Sequence, residues 1–438
     1  MGPGGEQGLF LGIDLGTSGC RGCAIDREGR PRAWARTVWT PPEPRDGRYE
    51  QDPEYWWQGV VATVAEIHGQ LQAPVEAISV DGTSGTLVVT DDAGRPLIPA
   101  VLYSDRRAAT QAQRIAEVAP ATSGAHGASS SLAKLLWLQD HERLVPAARV
   151  LSQADWIAGR MCGRFDISDE NNSLKLGYDP IERRWPTWIA RLGVPERRLP
   201  RVQPPGSRLG TIARDQAAVL GLPTDAMVVS GTTDSIAAFI ATGAGEPGDA
   251  VTSLGSTLAV KVVSERPVSA PDYGVYSHRL GERWLAGGAS NSGGAILLQH
   301  FSDEAIDAMT PQLEPDAPTG LHYYPLPGPG ERFPVAEPGM APRMEPRPED
   351  PLTFFQALLE GIAAVERLAY ERLADLGCPY PRVVYSVGGG ATNPAFNEIR
   401  RQRLNTSVRV PEHTEAAYGS ALLAMQGARR AWGGADDL

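Results

Sequence analysis

Two short stretches share one design and constrain this chain more than any composition figure. Residues 9–18 read Leu-Phe-Leu-Gly-Ile-Asp-Leu-Gly-Thr-Ser, and a second strand-like run, 19–26, follows at once. An apolar run, an acid, a Gly-Thr-Ser turn and another run spell a β-hairpin with a small tip. A tip of Gly16, Thr17 and Ser18 brings backbone N–H groups and hydroxyls up to an anion with no side chain in the way. Asp14, just ahead of the tip, would face the magnesium ion that a phosphate carries, because a hard cation prefers carboxylate and water oxygens. An ordinary surface hairpin would use the same residues for its turn alone. A second copy weighs against that: residues 250–263 repeat strand, tip and strand, with Gly255, Ser256 and Thr257 at the turn. Two such hairpins predict duplicated domains that grip one nucleotide.

A chain of 438 residues exceeds one ordinary core, so two domains are expected, 1–244 and 245–438, parted at the Gly/Pro-rich stretch 244–248. No apolar stretch approaches membrane-spanning length, and residues 1–7 lack the basic and apolar parts of a signal peptide. The expectation is a cytoplasmic protein with no membrane partner. A formal charge of −11 argues against a broad nucleic-acid footprint, yet leaves room for phosphate held by glycine loops, helix ends and magnesium. Four cysteines are too few for a disulfide framework. Cys20 and Cys23 form a C-x-x-C, but no second pair at similar spacing exists to complete a zinc site, and the pair sits on a hairpin. They read as filler.

Strands alternate with helices along the chain, which gives α/β. A helix is expected from Pro53 to about Leu71, with Asp52 as cap and Pro53 first. The run 75–80 is a strand that opens into Asp81-Gly82-Thr83-Ser84-Gly85-Thr86, and 99–103 runs into Ser104-Asp105-Arg106-Arg107. An amphipathic helix occupies 129–140. A buried strand at 227–230 ends in Gly231-Thr232-Thr233-Asp234-Ser235, followed by an apolar helix at 235–242. In the second half a strand, 284–286, enters a loop of small residues, 287–294. Residues 311–351 are dense in proline and glycine and read as an irregular excursion or a lid. A long helix spans 351–376, a strand at 383–387 opens into Gly388-Gly389-Gly390, and Asn393 with Pro394 starts another helix. A final helix covers 414–430.

Asp234 is the sharpest single residue. Such an acid at a helix start serves as a cap or, at the carboxyl end of a strand where α/β proteins bind ligands, as a base. An ionised Asp there accepts a proton from a hydroxyl that is to attack phosphorus. The triplet Gly388–Gly390 is as consistent with a tight turn as with a surface for a planar base. No G-x-x-x-x-G-K-[ST] and no G-x-G-x-x-G after a strand is present, so P-loop and Rossmann readings lose support.

Together these segments resemble the FGGY carbohydrate kinase family, within the actin, Hsp70 and sugar-kinase superfamily. The resemblance runs over 11–18, 231–235, 252–257, 287–294, 328–334, 387–393 and 414–424. Residues 129–139 match most of a family signature through Ser131, Lys134, Trp137 and Leu138, while Asp140 departs from its last position. The resemblance implies two RNase H-like domains around a central cleft, an N-terminal sugar-binding and catalytic one and a C-terminal nucleotide-binding one. It implies ATP and Mg2+ as cofactors, a small-molecule sugar as acceptor, and a monomer or homodimer. By position Asp234 looks like the catalytic base and Asp14 like the magnesium-side acid, the second catalytic carboxylate and the metal ligand. Gly16, Thr17, Ser18, Gly255, Ser256 and Thr257 would hold phosphates; Gly294, Gly389, Gly390 and Asn393 would border adenosine. Asp81, Ser84 and Asp105, with Asp234, would meet the sugar. Where typical bacterial xylulokinases carry Gln-Met-His-Gly, this chain has Gly82-Thr83-Ser84-Gly85. That turn and the short chain resemble the compact, xylulokinase-like ketopentose kinases associated with D-ribulose. D-ribulose is therefore expected ahead of D-xylulose or another polyol. A non-sugar ATPase of the superfamily would explain the hairpins but not 129–139, and intact Asp14 and Asp234 argue against a silent sugar sensor.

Overall fold

The first hairpin forms as read: strands Leu9–Gly16 and Gly19–Ile25 pair antiparallel, with Thr17 and Ser18 at the tip. The computed structural model describes residues 8–433 apart from 46, 72, 143, 146 and 147. Residues 1–7, read for a leader, and Asp46 of a predicted loop lie outside the described residues. The chain divides into two compact units, 1–241 with 413–438, and 242–412.

The first unit is built on a six-stranded sheet. Its order is Pro31–Val38, Gly19–Ile25, Leu9–Gly16, Val75–Gly82, Met227–Val229 and Arg208–Thr211. Val75–Gly82 lies parallel to Leu9–Gly16, and Met227–Val229 parallel to Val75–Gly82. The helix Pro53–Gln70 starts where expected, its Asp52 carboxylate accepting the Glu54 backbone N–H. Its apolar side, Trp56, Val60, Val64 and Ile67, packs with Leu11, Ile13 and Leu15 in one core. The other face carries Phe10, Cys23, Ala77 and Val229 under Ala417, Ala421, Ala424 and Ala428 of the helix Ala416–Ala431. That helix departs from the split expected at residue 244: it packs on the first sheet, because its alanine stripe fits closely against the sheet's second face. Cys20 and Cys23 belong to the two opposite cores, so the hairpin itself points their thiols apart.

The second unit repeats the plan. Its sheet runs Tyr276–Leu280, Arg283–Ser290, Leu258–Ser264, Asp249–Leu254, Val383–Val387 and Ser407–Arg409. Each unit thus has antiparallel strands, three in the first and four in the second, then two added parallel to the first strand of its hairpin; in the first unit Arg208–Thr211 closes the far edge antiparallel. The strand Arg283–Ser290 runs through Gly287 and Gly288, which were expected in a loop. These small residues suit the strand because Lys261 and Phe333 pack against their faces. The helix Pro351–Asp375 is capped by Asp350, which accepts the Thr353 N–H at 2.9 Å. Residues 313–350 contain no helix or strand. They are tied to that helix instead: Glu360 accepts the Thr319 hydroxyl at 2.7 Å, and Gln356 donates to the Glu314 and Ala317 carbonyls.

Under the second hairpin lies a buried ion pair. Arg400 grips Glu366 through two N–H···O bonds of 2.7 Å, with neither side chain exposed. Thr252, Tyr370, Ser386 and Asn397 complete the network, tying strand Asp249–Leu254 and strand Val383–Val387 to two helices. Breaking one side of such a pair costs more than replacing both. Arg400→Met is expected to lower stability by about 3–5 kcal/mol, whereas Arg400→Met with Glu366→Leu should recover most of it. Denaturant titration of the three proteins checks this, and equal losses in both variants would show that the pair itself carries no such asymmetry.

Candidate active site

The register of the first sheet places acid beside acid. Asp14 and Asp81 are partners on neighbouring parallel strands, at their carboxyl ends. Thr233 forms a bridge to Gly82, and the next residue, Asp234, opens the helix Asp234–Ala241. The turn reaches the strand end because Gly231 has no side chain: a Cβ there would sit 1.7 Å from the Val80 carbonyl oxygen. Three carboxylates therefore gather at one sheet end.

Each has a partner of its own. Arg21, opposite Asp14 in the hairpin, donates to an Asp14 carboxylate oxygen at 3.0 Å. Ser420 of the terminal helix donates its hydroxyl to Asp81 Oδ2 at 2.5 Å. Burial of Asp81, and after it the neighbouring Asp14 charge, pushes its carboxyl well above the usual range, with Asp234 adding to the effect. Its other oxygen is buried with no hydrogen-bond partner. Asp234 is half-buried, and its carboxylate accepts the Ser235 backbone N–H at 2.7 Å.

The turn after Asp81 is braced from below. Gln153 Oε1 accepts both the Thr83 N–H at 3.1 Å and the Thr83 hydroxyl at 2.9 Å, and the Thr83 and Thr86 hydroxyls lie 2.6 Å apart. Lys134, 1% exposed, donates to the Gly85 and Leu102 carbonyls at 2.9 and 2.7 Å. Lys175 donates to the Ser84 carbonyl at 3.1 Å. Thr83 is thus buried and engaged, while Ser84 is half-buried. Asp105 lies apart from the acid cluster in its bonding. Its oxygens accept from the Tyr49 N–H at 2.8 Å and from Arg107, whose closest contact is 2.6 Å. Burial alone would raise this carboxyl, but Arg107 and the backbone donors outweigh it and hold it below its ordinary value. Beside the hairpin tip, the Thr17 hydroxyl meets the Tyr103 hydroxyl at 3.2 Å, and the Thr17 carbonyl accepts the Trp39 indole N–H. Gly16, Thr17 and Ser18 are partly or fully exposed.

In the second unit, three backbone loops meet at one end of its sheet. Gly255, Ser256 and Thr257 form the exposed tip of the second hairpin. The Gly294 and Ala295 N–H groups, at the start of helix Gly294–His300, donate to the Gly255 and Ser256 carbonyls at 2.8 and 3.1 Å. Gly388 has φ of +86°, and a Cβ there would lie 2.7 Å from the Leu254 carbonyl oxygen. Gly389 and Gly390 follow in a short 3-10 turn rather than an open loop, and Asn393 caps the helix Pro394–Leu404 by accepting the Phe396 N–H at 2.9 Å. Glu331, buried at 2%, supports the loop between, accepting the Ser290 hydroxyl and the Asn291 N–H. Exposed backbone N–H groups in glycine loops are a surface that an anion can approach closely.

The sequence reading missed Arg21, Ser420, Lys175 and Gln153. Arg21 was within reach, since a two-residue tip makes it the register partner of Asp14. Ser420, 339 positions from Asp81, left no local signal. Lys134 was read only as part of a motif; burial lowers its amine to about 7. The unfolded amine titrates near 10.5, so between about pH 7 and pH 10 the unfolded chain holds the extra proton and stability gains with rising pH. Wild-type protein is therefore expected to gain on Lys134→Met as pH rises from 7 to 9, by up to about 1.4 kcal/mol per pH unit. Paired denaturation curves at pH 7, 8 and 9 check this; a constant difference would mean that Lys134 keeps its charge when buried.

Comparison with known proteins agrees with this geometry. The N-terminal domain of the FGGY family of carbohydrate kinases matches residues 9–241, and the family's C-terminal domain matches residues 250–428. A xylulose kinase of Escherichia coli strain K12 is 28% identical over 288 residues, which are 63% of this chain and only 59% of that protein. A glycerol kinase of Gloeobacter violaceus is 27% identical over 448 residues, covering 95% of this chain and 88% of that one. Among solved structures, a xyloylose kinase from Brucella ovis has a TM-score of 0.86 at 24% identity, over 98% of this chain and 91% of the other. A Plasmodium falciparum glycerol kinase with ADP has a TM-score of 0.84 at 17% identity, over 98% and 91%. These two show the shared α/β fold of sugar kinases. By the match of both domains, this chain belongs to the FGGY family of carbohydrate kinases.

Proposed function

We propose that the chain transfers the γ-phosphoryl group of ATP to a hydroxyl of a ketopentose, D-ribulose ahead of D-xylulose. The observation that carries the reading is the gathering of Asp14, Asp81 and Asp234 beside the turn that bears Ser84. In this reading the first unit, residues 1–244 in the expected division, takes the sugar and does the chemistry, and the later unit takes the nucleotide.

Asp234 accepts the proton of the attacking hydroxyl. Its half-buried place at a strand end suits a base that must stay ionised and reach a substrate. Asp14 would hold magnesium from its side, and the buried Asp81 oxygen that has no hydrogen-bond partner is what a hard cation would relieve. Gly16, Thr17 and Ser18 in one hairpin and Gly255, Ser256 and Thr257 in the other offer backbone N–H groups to phosphate. Gly294, Gly389, Gly390 and Asn393 border the adenosine. Bound ATP with magnesium supplies the phosphoryl group and the neutralising charge. Ser84 and Asp81 orient the sugar, whereas Asp105, expected beside them, is fully buried and taken up by Arg107 and the Tyr49 N–H, so its part is to brace the segment around it.

D-ribulose comes first because Ser84 is short and polar where a bulkier Met-His pair would reach further. Such a turn bonds a different hydroxyl configuration, and a site built around one hydroxyl rejects the analogue that leaves its groups unpaired. D-xylulose is the second reading, favoured by relatives that bear the name xylulose kinase.

Two measurements test this. Asp234→Asn should fold and bind nucleotide yet lose about a hundred- to ten-thousandfold in turnover; wild-type turnover in this variant would reduce Asp234 to a helix-start residue. Coupled ATP consumption with D-ribulose, D-xylulose, L-ribulose, L-xylulose and glycerol should give the highest kcat/KM on D-ribulose. A higher value on D-xylulose would overturn the choice of sugar while leaving the kinase reading intact.

A further inference from the structure

Away from the acid cluster, the first unit carries another cleft, and its charge is of the opposite sign. The chain as a whole has a formal charge of −11. Yet four guanidiniums, of Arg183, Arg184, Arg197 and Arg201, line this cleft against one carboxylate, that of Glu196. Its volume of about 620 Å3 lies in the range of small-molecule sites. The arginines come from two segments. Arg183 and Arg184 belong to the turn 179–184, closed by backbone bonds between Asp179 and Arg184 of 3.1 and 3.3 Å. Arg197 and Arg201 belong to the stretch 196–202. Trp185 pins the two together, its indole N–H donating to the Pro200 carbonyl at 2.9 Å. Tyr178 meets the same ring edge-on, with centroids 5.2 Å apart, so the aromatic wall of the cleft is fixed.

Structural duty does not account for this set. Arg183 meets the buried Glu170 at 3.1 Å, and Arg184 meets Glu182 at 3.4 Å where both are exposed. Arg201 is exposed and has no ion pair among the described residues. Exposed pairs add little to stability, and like charges gathered on one cleft repel each other. Folding alone gives no reason to collect them. Arg183 has, besides, a φ of +50°, a left-handed backbone that is uncommon for a long side chain and is found most often where a ligand is held. A guanidinium is planar, permanently charged and able to give a phosphate two parallel N–H bonds. One phosphate occupies the arginines of one segment; two joined phosphates reach both. We infer that this cleft binds a small molecule carrying a diphosphate or longer phosphate chain, at a site separate from the hairpin tips and glycine loops described above. The inference does not rest on the kinase reading.

Calorimetric titration of the full chain in magnesium-free buffer tests it, with inorganic pyrophosphate as the probe. Sulfate, ADP and a single-stranded oligonucleotide are the comparison ligands. Wild-type protein should bind pyrophosphate saturably, and sulfate at least about tenfold more weakly, because sulfate cannot span both segments. Arg184→Gln and Arg201→Gln should each weaken pyrophosphate by about tenfold, the scale of one lost charged hydrogen bond, and together by about a hundredfold. Both positions are exposed, and either single variant carries the test if the double variant does not fold. The variants also separate this cleft from the hairpins, which are expected to take phosphate themselves. An ADP equivalent lost in the double variant supports the inference and marks the source as a nucleotide. Loss of pyrophosphate with ADP binding unchanged supports it and marks an inorganic chain. Equal pyrophosphate affinity in wild-type and double variant overturns the inference, as does sulfate binding as tightly as pyrophosphate, or binding of the oligonucleotide alone. A rise in KM for ATP that tracks the loss of pyrophosphate would also overturn it, by placing the anion at the nucleotide site. A wild-type protein that phosphorylates no sugar would overturn the kinase reading and leave this inference to the titration.

Discussion

Three carboxylates held within one strand end set the terms for the rest of the first unit. Asp14 and Asp81 are register partners, so any sheet that satisfies the apolar pattern of both strands must put the acids side by side. Their mutual repulsion in a site removed from water would be severe if all stayed charged and unpartnered. Around them the protein places a guanidinium from the hairpin and a hydroxyl from the helix Ala416–Ala431. The division of labour follows from position. Asp81, fully buried, is pushed toward its neutral form, while Asp234 is only half-buried.

The second unit meets a different demand with the same architecture. Its sheet shares the first one's three antiparallel strands followed by two parallel ones and differs in where the sixth strand is added, and no acid stands in the place of Asp14, which Ser253 takes before Leu254 and Gly255. What its strand ends present is backbone. The rigidity that exposed glycines lack is supplied from beneath, by the Glu366–Arg400 pair with Thr252 and Ser386, and by Glu331 under Asn291. Flexible surface and stiff support are complementary here: the loops approach a ligand closely only if the strands that carry them do not shift.

Much of this was legible in the sequence, and the reasons are local. The hairpin tips, the caps Asp52 and Asn393, and the long helix Pro351–Asp375 all announce themselves through residues a few positions apart. The two-fold repetition was readable because each copy carries its own Gly-Ser/Thr turn. What escaped notice depends on distance along the chain. A serine inside an alanine-rich helix gives no sign that it will meet an aspartate beside the first hairpin, and Lys175 among apolar neighbours looks like a surface residue until Gly85 and Ser84 are seen beneath it. The strand through Gly287 and Gly288 was hidden for another reason. Glycine has poor strand propensity, and only the packing of Phe333 and Lys261 overrides it.

The terminal helix carries one more consequence, for the order in which the molecule can be made. Its alanine stripe covers the back of the first sheet, and its Ser420 completes the surroundings of Asp81, yet it leaves the ribosome only after all of residues 242–412. During synthesis the first sheet must wait with Phe10, Ala77 and Val229 uncovered while the later unit is translated and folds. The acid pair Asp14 and Asp81 is written early in the chain but gains the Ser420 hydroxyl only from a helix made much later. A nascent chain holding Asp14 and Asp81 but not yet the helix Ala416–Ala431 has its buried acid without the Ser420 hydroxyl, so the surroundings of Asp81 are finished only when that helix docks.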